Sequence, residues 1–191
     1  MKKLRLISFF ILLMISLTAC SGGKIKPENV YDKIHSLYYD IQSYKTSCKV
    51  TVYTPGGENT YNCDITYNKD EDNYEVVSED MKIFLTKDKT IISKGSNTLE
   101  SPSMPEDMYI FINTFFKSYY ESEDTVVNVN LPKKSNLVLL ECSCVNPTTY
   151  ISSMKLWVDG ESAKPVRMQV LGDDNKVSTE IEFTNFSFTG L

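Results

Sequence analysis

The amino-acid sequence predicts an α+β domain in which helices cover an antiparallel sheet, and three observations carry this. From Cys48 to Lys94, and again from Val126 to Phe188, apolar and polar residues alternate with period two in short runs separated by turn clusters. Two other stretches, beginning at Pro27 and at Met104, place apolar residues at three- and four-residue spacings. Sequential strands joined by short turns pair with their neighbours, which makes the sheet antiparallel.

The first helix is expected over Pro27 to Thr46, because Val30, Ile34, Leu37, Ile41 and Tyr44 form one apolar stripe. The single histidine, His35, falls beside that stripe among Tyr31, Tyr38 and Tyr39, a rim position rather than a ligand position. Two alternating runs follow, Cys48 to Tyr53 and Tyr61 to Tyr67, symmetric about Pro55-Gly56. A hairpin centred there puts Cys48, Val50 and Val52 on one face with Tyr61, Cys63, Ile65 and Tyr67. It also sets Cys48 opposite Cys63, within reach of a disulfide. Turn clusters at Asn68 to Asn73, Ser78 to Asp80 and Lys87 to Lys89 then separate short strands at Tyr74 to Val77, Met81 to Thr86 and Thr90 to Ser93.

Gly95 to Pro105 reads as a Ser/Pro-rich loop. A second helix starts at Met104-Pro105-Glu106-Asp107, with proline near the first helical position and acids in the first turn. Its residues Met108, Ile110, Phe111, Ile112, Phe115, Phe116 and Tyr119 exceed one stripe. Such a helix is covered on most sides, or its excess is a binding surface. Strands resume at Val126 to Asn130, Leu137 to Val145, Ile151 to Asp159, Val166 to Leu171 and Val177 to Phe188, with turns at Asp159-Gly160-Glu161 and Gly172 to Asn175.

The N-terminus carries an address. Met1-Lys-Lys-Leu-Arg5 is a cationic head, Leu6 to Leu17 an apolar run of about twelve residues, and Leu17-Thr18-Ala19-Cys20 a small-residue site ending in a thiol. The run is short of the ~20 residues a spanning helix needs, and diacylglyceryl transfer to sulfur requires that cysteine. Residues 1–19 are therefore expected to be a lipoprotein signal peptide, Cys20 the lipidation site, 20–26 a flexible tether and 27–191 a single domain. The mature chain would sit on the extracytoplasmic face of the cell membrane, or in a spore intermembrane space, held by its lipid anchor.

Losing Lys2, Lys3 and Arg5 takes the formal charge from −5 to −8, which argues against a nucleic-acid partner. Cys48, Cys63, Cys142 and Cys144 remain after lipidation, where disulfides are permitted. Cys142 and Cys144 share one strand face, so each either pairs across the sheet or stays buried and reduced. Catalysis finds little support: one histidine, no Gly-x-Ser-x-Gly, no His-Glu-x-x-His, and a poor zinc spacing at Cys142-x-Cys144. The acidic run Asp70-Glu71-Asp72 lacks the glycine and closing glutamate of a calcium loop and reads as a turn. No catalytic residue, metal or cofactor is expected.

Trp157-Val-Asp159, a turn, Pro165-Val-Arg-Met168 and the closing Ile181-Glu-Phe-Thr-Asn-Phe186 resemble the lipoprotein-carrier superfamily of LolA and LolB. Gln42-Ser-Tyr-Lys45 after the first helix fits as well, and the likeness runs from about Tyr31 to the C-terminus. It implies a strongly curved antiparallel β-sheet, an incomplete β-barrel, with two to three helices covering the hollow face. Tyr38, Tyr39, Tyr61, Tyr67, Phe84, Phe111, Phe115, Phe116 and Trp157 would then line the hollow, where a carrier holds acyl chains, or fill it as core. Phe111, Phe115, Phe116, Tyr119 and Trp157 are the candidate cavity or partner surface.

Within that superfamily the short, Lys/Asn/Tyr-rich chain is most similar to spore germination lipoproteins of the clostridial GerS type. This likeness implies a non-catalytic, membrane-held protein that binds and activates a cortex-modifying N-acetylmuramoyl-L-alanine amidase, its peptidoglycan amidase partner, in spore formation and germination. The competing expectation is a lipid- or lipoprotein-binding acceptor that uses the cavity. A shuttle is disfavoured, because acylation at Cys20 would keep it on the membrane. Edge strands of an unclosed barrel would further allow a homodimer by strand pairing.

Overall fold

A computed structural model of the chain describes residues 27–102, 108–128 and 136–189. The signal peptide, Cys20, the 20–26 tether and the Met104–Asp107 helix start lie outside the described residues. The elements, in chain order, are α1 (Pro27–Tyr38), β1 (Tyr44–Thr54), β2 (Gly57–Asn68), β3 (Asn73–Ser78), β4 (Lys82–Leu85), β5 (Lys89–Lys94) and β6 (Asn97–Pro102), then α2 (Ile112–Glu121), β7 (Val126–Asn128), β8 (Leu137–Thr148), β9 (Ile151–Asp159), β10 (Pro165–Leu171) and β11 (Val177–Phe188).

All eleven strands belong to one antiparallel sheet in the order β6-β5-β4-β3-β2-β1-β11-β10-β9-β8-β7. Two meanders are thus fused where β1 pairs with β11, from Tyr44↔Phe188 to Val52↔Thr179. The sheet does not close: β6 and β7 are its two edges, and α2 lies in the connection between them. This is the curved, open barrel with helices on one face that the sequence and its resemblance led us to expect.

Strand alternation decides which side is the core. Along β9, Met154, Leu156 and Val158 are fully buried while Lys155, Trp157 and Asp159 are half-buried on the opposite face. Along β1, Tyr44, Thr46, Cys48 and Val50 are buried and Lys45 and Lys49 exposed. Onto the buried face pack the two helices. Helix α1 contributes Val30, Ile34 and Tyr38, four residues apart, so only one stripe is buried. The Tyr38 hydroxyl donates to the Ala163 carbonyl at 2.8 Å, and its ring stacks on Phe116 at 4.2 Å, which fixes α1 to the β9–β10 turn and to α2 together.

Three expectations are corrected. The first helix ends at Tyr38, not Thr46, because Tyr44 and Lys45 enter β1, where each is paired with β2 on one side and β11 on the other. A residue in the middle of a sheet gains two ladders, which outweighs a helical spacing extended by two apolar positions. Gly95 to Pro105 is not all loop: Asn97–Pro102 forms β6, paired with β5 from Lys94↔Asn97 to Lys89↔Pro102. All six of its side chains are exposed, so no apolar alternation marks it, and the turn is made by Gly95 at φ +58°. The described part of the second helix runs over Ile112–Glu121, and Met108 to Ile110 precede it as a turn.

Candidate functional site

The aromatic residues of α2 expected at the hollow are core residues. Phe111, Ile112 and Phe115 are 0 % exposed, Phe116 2 % and Tyr119 5 %. Their rings interlock: Phe111 stacks on Tyr74 of β3 at 4.1 Å, and Phe115 meets Phe116 edge-on at 5.2 Å. Helix α2 is therefore a plug, its excess apolar surface spent on core rather than presented to a ligand. No side chain caps its N-terminus at Phe111, but Thr114 Oγ1 donates to the Met108 carbonyl at 3.1 Å and ties down the entering turn.

Trp157, a candidate for the cavity or for a partner surface, is on the other side of the sheet from α2. Its neighbours Leu156 and Val158 take the core positions, and strand geometry sends Trp157 to the outer face. There the Arg167 guanidinium lies 4.0 Å over the indole, a cation–π contact fixed by the β9–β10 register Arg167↔Trp157. Leu139, 8 % exposed, is the partner of Trp157 on β8. The register continues this row as Arg167↔Glu182↔Lys49. A parallel row runs Thr51↔Glu180↔Gln169↔Lys155↔Glu141, with Gln169 donating to Glu180 and Lys155 3.4 Å from Glu141. The outer face is a charged ladder holding the chain's one tryptophan, and the sequence signal for it was the hairpin register rather than any local motif.

At the rim of the hollow, His35 sits between Tyr39, stacked at 4.8 Å, and Tyr120, edge-on at 5.6 Å. Desolvation pushes the Tyr120 hydroxyl up to about 12, so that phenol is uncharged at neutral pH. Among the described residues no group of three or more His, Cys, Asp and Glu is placed to hold a metal ion. None of their helices is long and apolar enough to cross a membrane.

The cysteines fall into two pairs. Cys48 and Cys63 are register partners across β1–β2, as the hairpin symmetry requires, with Sγ atoms 3.3 Å apart and both thiols free. Cys142 and Cys144 are both buried on the core face of β8. Burial raises both thiols, Cys144 to about 11 and Cys142 further.

Fold and site together define an open β-half-barrel with α2 packed on its core face and a charged ladder on its outer face. The chain belongs to the sporulation protein YdcC-like family, which matches residues 1–189. No curated protein matches it at a significant level. Among solved structures, an uncharacterised conserved protein of Thermus thermophilus is similar at 12% identity over 86% of this chain and 88% of that one, TM-score 0.52. A chain in the complex of the Clostridioides difficile CwlD amidase with the GerS lipoprotein is similar at 23% identity, over 85% of this chain and 95% of that one, TM-score 0.50. A LolA superfamily protein of Nitrosomonas europaea aligns at 9% identity over 86% and 94%, TM-score 0.45.

Proposed function

We propose that this chain is a membrane-anchored, non-catalytic lipoprotein that binds a peptidoglycan amidase of the N-acetylmuramoyl-L-alanine class and activates it during spore formation. The observation that carries this reading is the packing of α2: Phe111, Ile112, Phe115 and Phe116 are buried in the core rather than presented to a ligand, which favours a role for the outer face and edges. Membership of a sporulation family supplies the setting. The fold shared with a chain of an amidase–lipoprotein complex supplies the class of partner. Acylation at Cys20 would hold the domain where cortex peptidoglycan is made and modified.

Affinity capture of the lipidated chain from sporulating cells, paired with analysis of cortex muramic lactam in a deletion strain, tests it. Recovery of an amidase together with loss of muramic lactam is expected. Capture without amidase, alongside unchanged cortex, overturns it. The lipid-acceptor reading requires an empty hollow, and native mass spectrometry of the extracted protein would reveal bound lipid if that reading held.

A further inference from the structure

We infer that Cys48 and Cys63 are a modification site, closing to a cross-strand disulfide that staples the β1–β2 hairpin at the centre of the sheet. Three independent features lead there. The residues are direct register partners, which brings Cβ atoms to about 4.5–5.5 Å, close to the span a disulfide bridges. Their sulfurs already touch at 3.3 Å, so closure needs only a small approach of the two side chains. Cys63 is itself only half-buried, which gives a reagent a way to the pair.

The pair is also polarised. Cys48 is 4 % exposed and Cys63 only half-buried. The two thiols share one hydrogen bond in which either sulfur can donate, and Cys63 is the sulfur a reagent reaches first. Cys63 is therefore the attacking sulfur. The oxidant is itself a disulfide, either a small-molecule disulfide or that of an extracytoplasmic thiol oxidoreductase. The Cys63 thiolate attacks one of its sulfurs, forming a mixed disulfide and displacing a thiolate that takes up a proton. Cys48 then loses its proton and attacks the Cys63 sulfur, releasing the second thiol. Two protein thiols are oxidised and one oxidant disulfide is reduced to two thiols.

Cys142 and Cys144 serve as the internal control. Being same-face neighbours on one strand, they stand roughly 6.6 Å apart along it, and burial keeps both as thiols. Neither fits a bridge.

The experiment is thiol counting on the full lipidated chain, isolated from its own envelope without reductant and alkylated as it is denatured, followed by peptide mapping. Two alkylated cysteines, Cys142 and Cys144, are expected before reduction and four after it, with a linked peptide joining Cys48 to Cys63. The C48S and C63S chains should each show three alkylated cysteines after reduction and the doubly substituted chain two. Four alkylated cysteines before reduction in the unsubstituted chain overturn the inference, as does a linkage through Cys142 or Cys144. The readout does not involve the amidase, so it stands or falls separately from the proposed function.

Discussion

The two wings of the sheet are built to different rules. In the wing β8–β10, Leu140, Met154, Leu156, Val158 and Met168 are all fully buried, and α2 packs against β8. In the wing β4–β6 only Leu85 is fully buried, β5 is half-exposed along its middle, and β6 is exposed throughout. One wing is held by side-chain packing and the other mainly by backbone ladders. Ion pairs Lys89–Glu100 at 3.4 Å and Lys94–Asp80 at 2.6 Å dress the exposed wing. Exposed pairs of this kind contribute little to stability, but charge and the terminal Pro102 protect an edge against indiscriminate strand pairing. Stability is thus concentrated where α2 sits.

Phe115→Ala should give the largest effect, because it opens a cavity under α2: a loss of about 3–5 kcal/mol in chemical denaturation. A loss below about 1 kcal/mol would mean that the plug is not the main packing element. Next comes Gly172→Ala in the β10–β11 turn. A Cβ there would stand 2.7 Å from the Thr149 carbonyl oxygen, and backbone cannot step aside cheaply, so a loss of about 1–3 kcal/mol is expected.

Arg167→Ala removes the cation over Trp157 and should cost about 1 kcal/mol. As the chain has one tryptophan, the emission spectrum must change with it; an unchanged spectrum would show the contact to be absent in solution.

A smaller, pH-dependent effect belongs to Asp159 at the β9–β10 turn. Partial burial pushes its carboxyl up. Hydrogen bonds from Ser162 N and Oγ, each at 2.7 Å, and from Glu161 N at 3.2 Å outweigh that and hold it below the usual range. The depressed value makes its contribution fully present above the unfolded carboxylate value near ~4 and lost as pH falls through the folded one. Melting curves of Asp159→Asn should therefore lie below those of the parent at neutral pH and converge with them in acid. On the exposed wing, Leu99→Lys should stay within about 0.5 kcal/mol of the parent, since the side chain is 62 % exposed. A larger loss would show that β6 is covered in solution and sharpen the contrast into an interface.

The legibility of the chain followed the same contrast. Where a strand buries alternate residues, as in β9 and β11, its limits could be read from the alternation, and Ile151–Asp159 and Val177–Phe188 lie where expected. Where pairing is by backbone alone, as in β6, side chains carried no trace of it. The Cys48–Cys63 opposition was legible because hairpin symmetry about Pro55-Gly56 is a local property. The face that Trp157 takes was not legible because aromatic character says nothing about it; its two buried neighbours decide that.

By itself the sequence determined the alternation, the turns and the hairpin register, all of which are set by residues near one another along the chain. Only the tertiary structure decided that β1 and β11, more than a hundred residues apart, fuse the two meanders into one sheet. The same holds for α2, whose apolar surface could equally have been a ligand wall. Whether such a surface lines a cavity or fills it depends on the volume between helix and sheet, and that volume exists only once the distant strands have come together.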